Sequence, residues 1–135
     1  MRQIKFRGQL IHSGEWVYGT YHYSADGKMH YILNREMFLE RFDQGEWALH
    51  EKEVHQVIAK SVSEFTGLKD KNGIEIYEGD IIGRDGFFNR VVQHNGVCFE
   101  TYSVNNPERL FPLTKHSVDE YDKVIGNIHQ NPELL

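Results

Sequence analysis

One cysteine and three prolines in 135 residues leave this sequence without the means for an internal disulfide or a proline-rich linker. Long apolar runs are missing too. Nothing approaches the roughly 20 residues that cross a bilayer, and Met1-Arg2-Gln3-Ile4-Lys5 lacks the apolar segment of a signal peptide, so a soluble cytoplasmic protein without a membrane partner is expected. Positive charge is in deficit, with 15 Lys and Arg against 20 Asp and Glu. A net charge of -5 argues against a protein that wraps a phosphate backbone without regard to sequence, and nucleic acid is not an expected partner. Sustained helical periodicity is absent, as are a phosphate-cradling Gly-rich loop, a Gly-x-Ser-x-Gly elbow and a CxxC pair. Nothing calls for a cofactor, and the usual enzyme signatures are lacking. What the chain does have is rings and turn formers. Aromatics at 13% within a hydrophobic share of 39% suffice to bury the core of one compact domain spanning residues 1–135.

Frequent turn signals separate short aromatic or β-branched runs, which predicts a mostly β fold of antiparallel hairpins. Ile4, Phe6 and Leu10 alternate with Lys5, Arg7 and Gln9, reading as a half-buried strand with a bulge at Gly8. Trp16 to Tyr23 reads as a second strand, and Asp26-Gly27 as the centre of a two-residue hairpin loop. That register sets Tyr23 opposite His30, His22 opposite Tyr31 and Tyr21 opposite Ile32. The stretch from Arg35 to Lys60 is the least regular, with a short helix expected near residues 35–42. Asn72-Gly73 as a second two-residue loop places Leu68 opposite Tyr77. Asn95-Gly96 as a third pairs Val92 with Phe99 and Val91 with Glu100. A helical turn at Ser117–Tyr121 and a last strand at Lys123–His129 complete the chain. Two lobes, 1–63 and 64–135, are expected within the one domain, the second resembling a small bent barrel.

The motifs carry a resemblance. Ile4-Lys5-Phe6-Arg7-Gly8 and Gly14-Glu15-Trp16-Val17-Tyr18-Gly19 resemble the opening of the YopX-like proteins of phages and prophages. The block Phe65-Thr66-Gly67-Leu68-Lys69-Asp70-Lys71-Asn72-Gly73, followed by Ile76-Tyr77-Glu78-Gly79-Asp80-Ile81-Ile82, is similar to that family's central signature. The ending Val124-Ile125-Gly126-Asn127-Ile128-His129-Gln130-Asn131-Pro132-Glu133-Leu134-Leu135 is similar to its terminal motif. Ser61-Val62-Ser63-Glu64 departs from the Thr-Val-Gly-Gln commoner there. The resemblance implies a mostly β fold, a phage or prophage origin and hence the cytoplasm of a bacterial host. The family it resembles has no established biochemical activity.

Four groups of residues call for a chemical reading. Glu78 and Asp80, two apart, project to one face of a strand and can share a divalent cation, which is the basis for an alternative reading as a small metal-dependent hydrolase or nuclease. The structural reading is favoured, in which Gly79 marks a bend and Asp80 accepts the backbone N–H groups that fix it. Eight histidines show no zinc-like spacing; the hairpin register separates His22 from His30, and His50 and His55 stand five apart. Cys98 is expected to be packed or half-buried, facing Gln93 and away from His94. Arg2, Lys5 and Arg7 beside aromatic residues suggest an alternative single-stranded nucleic-acid surface, against which a solvated basic face is the simpler account.

Trp16, Tyr18, Tyr21, Tyr23 and Tyr31 exceed what one core face needs. Trp16 and Tyr18 share one face of their strand while Tyr21 and Tyr23 share the other. These five are the expected surface for a partner or a second subunit. The sequence therefore leads to a non-enzymatic phage or prophage accessory protein, a binding or assembly module that self-associates and contacts a host or phage protein.

Overall fold

A computed structural model describes residues 4–33, 38–41, 47–50 and 54–135, with 38–41 and 47–50 as backbone. It is mostly β, and its strands pair antiparallel. The described chain forms two compact units, Ile4–Ser63 and Glu64–Leu135.

In the first unit β1 (Phe6–Gln9), β2 (Trp16–Tyr23), β3 (His30–Leu33) and β6 (Val54–Gln56) lie side by side in the order β6-β3-β2-β1. The strands β4 (Phe38–Arg41) and β5 (Trp47–His50) pair with each other. Where a short helix was expected near residues 35–42, Phe38–Arg41 is extended, and the rest of that span lies outside the described residues. The hairpin of β2 and β3 has the expected register, with Tyr23 opposite His30, His22 opposite Tyr31 and Tyr21 opposite Ile32. Its loop is not the expected one. Ser24 N–H donates to Met29 O at 2.9 Å and Gly27 N–H to Ser24 O at 2.8 Å, so the loop has four residues, Ala25 to Lys28. A two-residue type I′ turn needs positive φ at both centres, whereas Gly27 has φ 72° and no described residue other than glycine has a positive φ. Both loops are centred between Asp26 and Gly27, which is why the register survives the change of turn.

Gly8 is no bulge. It pairs with Val17 in an unbroken ladder, and a Cβ on it would lie 3.0 Å from Cβ and Cγ2 of Val57. The residue is small because the chain around Val57 passes close by: Ile58 N–H donates to Gln9 O, and Gln9 N–H to Ser61 Oγ. Ser61, in the block that departs from the family pattern, is fully buried and donates its own hydroxyl to Ile58 O.

In the second unit β7 (Ser63–Lys69) pairs with β8 (Glu75–Tyr77). Five further strands, β9 (Asp80–Gly83), β10 (Arg90–His94), β11 (Phe99–Ser103), β12 (Leu110–Pro112) and β13 (Lys123–Asn127), form a sheet in the order β12-β11-β10-β9-β13. Its edges do not meet, so the barrel-like expectation resolves into an open sheet. The helix α1 (Lys115–Glu120) covers the expected helical turn and is capped by Thr114, whose hydroxyl accepts from Ser117 N–H. Ile76, Ile82, Val92 and Val118 make the buried centre, with Leu68, Phe99, Leu113 and Val124 packed around it.

Two hairpin registers differ from expectation. Tyr77 sits opposite Phe65, not Leu68, because Asp70 N–H bonds Ile74 O to close a three-residue loop and a register shift follows between Phe65 and Lys69. Val92 sits opposite Thr101 and Val91 opposite Tyr102, because Asn95 N–H bonds Cys98 O and makes Gly96-Val97 the loop. Moving a turn by one residue moves every partner by two. Each side chain of β10 thus keeps the face that alternation assigns it.

Candidate functional site

The aromatic strand is where the sequence places a contact surface, and the ladder divides its rings between two faces. Trp16, Tyr18 and, through its partner His22, Tyr31 lie on one face, with Tyr21 and Tyr23 on the other. Tyr21 is built into its unit. Its hydroxyl lies 2.6 Å from His30 Nδ1, and its ring stacks on His30 at 5.9 Å and meets Phe6 at 5.6 Å. His30 Nε2 lies 3.1 Å from Gly27 O, which fits a ring protonated at Nε2 and accepting from Tyr21 at Nδ1. Burial, with Tyr23 adding to it, pushes the Tyr21 hydroxyl above the ordinary tyrosine range and keeps it a donor. Trp16 and Tyr31 are half-buried. Tyr18 and Tyr23 are the open ones, 44% and 67% exposed.

The basic face expected of β1 is not solvated. Lys5 and Arg7 are 9% and 6% exposed, whereas Ile4, expected on the inner side, is 67% exposed. The Arg7 guanidinium lies 4.2 Å over the Trp16 ring, so an aromatic face takes the place of water around the charge. This removes the geometric premise of a nucleic-acid surface made by Arg2, Lys5 and Arg7; Arg2 itself lies outside the described residues.

Glu78 and Asp80 flank Gly79, whose φ of 87° belongs to the left-handed region and turns the chain between β8 and β9. Backbone bonds hold the turn from several sides: Glu78 N–H to Glu64 O, Gly79 N–H to Val92 O and Ile128 N–H to Gly79 O. Asp80 is buried and accepts from Tyr77 N–H at 2.8 Å, the use that fixes a bend. Glu78 is half-buried. Burial pushes its carboxyl above the ordinary range, while His94 opposes and Glu64 adds to the shift. Among the described residues no three His, Cys, Asp or Glu side chains come together as metal ligands. His22 and His30 stand on opposite faces of their hairpin, and the His50 side chain lies outside what is described.

Cys98 is exposed, contrary to the expected packing, and follows directly on the hairpin tip. It faces Asn95 rather than Gln93, since the Asn95 carboxamide oxygen accepts from both Val97 and Cys98 N–H. Gln93 pairs with Glu100 instead.

One cluster was not legible in the sequence. Asp122, between α1 and β13, is fully buried and accepts from Arg84 Nε at 2.8 Å, Arg84 Nη2 at 3.2 Å, Arg90 Nη2 at 2.5 Å and Ser117 Oγ at 2.8 Å. Arg84 follows β9, Arg90 opens β10 and Ser117 lies in α1, so the carboxylate ties three elements together. The residues are 32 and 38 positions apart. No local spacing signals such a group.

The fold is that of a mostly β, antiparallel protein. Within that class the chain belongs to the YopX family: the family model, described as YopX protein, matches residues 5–135. Among solved structures the chain is similar to protein EF1440 from Enterococcus faecalis, with a TM-score of 0.75, 23% sequence identity, and 100% of this chain and 99% of that chain covered. At that identity the likeness shows the shared fold alone. No curated protein sequence matches the chain.

Proposed function

We propose that this YopX-family chain is a non-enzymatic phage or prophage accessory protein that works by protein contact, self-associating and engaging a host or phage protein through the hairpin of β2 and β3. The observation that carries this reading is that Tyr18 and Tyr23, on opposite faces of one strand, stay 44% and 67% exposed. Exposed tyrosines offer large rigid contact area with a polar handle and little rotamer entropy to lose, which suits an interface. Tyr21 and Trp16 support the surface from within, through the His30 and Arg7 contacts. The test is native mass spectrometry of the tagged protein recovered from its host, beside Tyr18→Ala and Tyr23→Ala. An oligomer or a reproducible co-purifying protein in the unmutated chain, lost in one or both variants, supports the reading. Unchanged assembly and unchanged partners in both folded variants would show that the surface is wrong, and a bare monomer removes self-association.

A further inference from the structure

We propose that the Arg84–Arg90 cluster of the second unit is a binding site for a phosphate-type oxyanion, rimmed by Phe87 and Tyr121. The first ground is charge. Two guanidiniums share one buried carboxylate, Asp122, which leaves one positive charge in excess in a group whose members Arg90 and Asp122 are 3% and 0% exposed. Asp85, the neighbour of Arg84, is exposed and makes no ion pair with it among the described residues. Buried charge without a counter-charge is costly, and a bound anion relieves it.

The second ground is unused donors. Arg84 spends Nε and Nη2 on Asp122 and Ser117, leaving Nη1 without an acceptor among the described residues. Arg90 spends only Nη2, and its Nε is buried with no partner. A buried guanidinium N–H that meets no acceptor is rare enough to need a reason.

The third ground is access. Arg84 is 26% exposed and lies between two open rings, its guanidinium carbon 5.0 Å from the Phe87 ring and 5.3 Å from the Tyr121 ring. Arg90 lies 5.4 Å from the same Phe87 ring. Phe87 and Tyr121 are 42% and 48% exposed, so the partly open guanidinium of Arg84 meets solvent beside two partly open rings. Arginine forks recognise carboxylate and phosphate alike. Asp122 already fills the planar fork-to-carboxylate position. The remaining donors come from two separate guanidiniums, which suits a tetrahedral anion with several acceptor oxygens. The phosphate comes either free or carried on a nucleoside, whose base would add contact with the rim.

The experiment is an NMR titration of the whole protein at low salt, following the Arg84 Nε–H and the Phe87 and Tyr121 ring signals. Inorganic phosphate, adenosine monophosphate and acetate are added in separate arms. A saturable shift with phosphate, at least about tenfold weaker with acetate and weakened about tenfold by Arg84→Gln, is expected from the loss of one charge-assisted contact. Tighter binding of the nucleotide than of phosphate assigns the phosphate to a nucleoside carrier; equal binding assigns free phosphate. The proposal falls if the Arg84 signal does not saturate, or if acetate matches phosphate. It falls equally if Arg84→Gln binds as the unmutated protein does. Should that variant not fold, the phosphate and acetate arms on the unmutated protein decide alone.

Discussion

Asp70 shows how much one side chain can hold. It is 4% exposed; one carboxylate oxygen accepts from Asn72 and Ile74 N–H, and the other from Val124 N–H at 2.8 Å. Replacing it with alanine strands three backbone donors, and Asp70→Ala is expected to cost about 3 kcal/mol or more, measured by urea unfolding. Gly8 acts by absence. Gly8→Ala puts a methyl against Val57 and is expected to cost about 1–3 kcal/mol, with Val57→Ala in the same chain recovering part of the loss. Additive losses in that double variant would show that the two residues do not compete for space. Glu78 gives the pH dependence. Its carboxyl is raised in the folded protein, so the neutral form is favoured there. The stability it contributes is full below the unfolded value of about 4.3 and is lost as pH rises through the folded value. Glu78→Gln is therefore expected to raise the melting temperature at pH 7 and to leave it nearly unchanged at about pH 3.5. A lower melting temperature at pH 7 would reverse the sign assigned to burial.

At the scale of elements, turns and cross-links set the geometry. The three hairpin loops carry Asp-Gly or Asn-Gly pairs, yet none is closed as a two-residue loop centred on that pair, because Ser24 and Asp70 make the closing hydrogen bond one residue earlier than such a loop needs and Asn95 makes it one residue later. The alternation of side chains was legible in the first and third hairpins, where the change of loop keeps strand parity, but not in the second, where a three-residue loop and the register shift between Phe65 and Lys69 break it. The individual partners were legible only in the first. The Asp122 cluster joins the end of β9, the start of β10 and α1, so Asp122→Ala leaves Arg90 buried without its counter-charge. A loss of about 3–5 kcal/mol is expected, with a smaller one for Asp122→Asn, which keeps acceptor oxygen for one guanidinium. Equal and small losses in both would mean that the carboxylate charge contributes little.

For the whole molecule the proposed work is contact, and its surfaces belong to separate units, the aromatic hairpin to the first and the arginine cluster to the second. Tyr23→Ala is expected to alter assembly without changing phosphate titration at Arg84, and Arg84→Gln to do the reverse. Either variant affecting both readouts would tie the two surfaces into one function. Local sequence was enough for the mostly β class, the strands flanking the Asp-Gly and Asn-Gly turns, the register of β2 against β3 and the family, because period-2 alternation, turn formers and family motifs are written within a few neighbouring residues. Only the tertiary structure decided that Lys5 and Arg7 go inward while Ile4 stays out, and that Asp122 gathers Arg84, Arg90 and Ser117. Burial and charge pairing depend on segments brought from tens of residues away, and a linear pattern holds no record of which segment arrives.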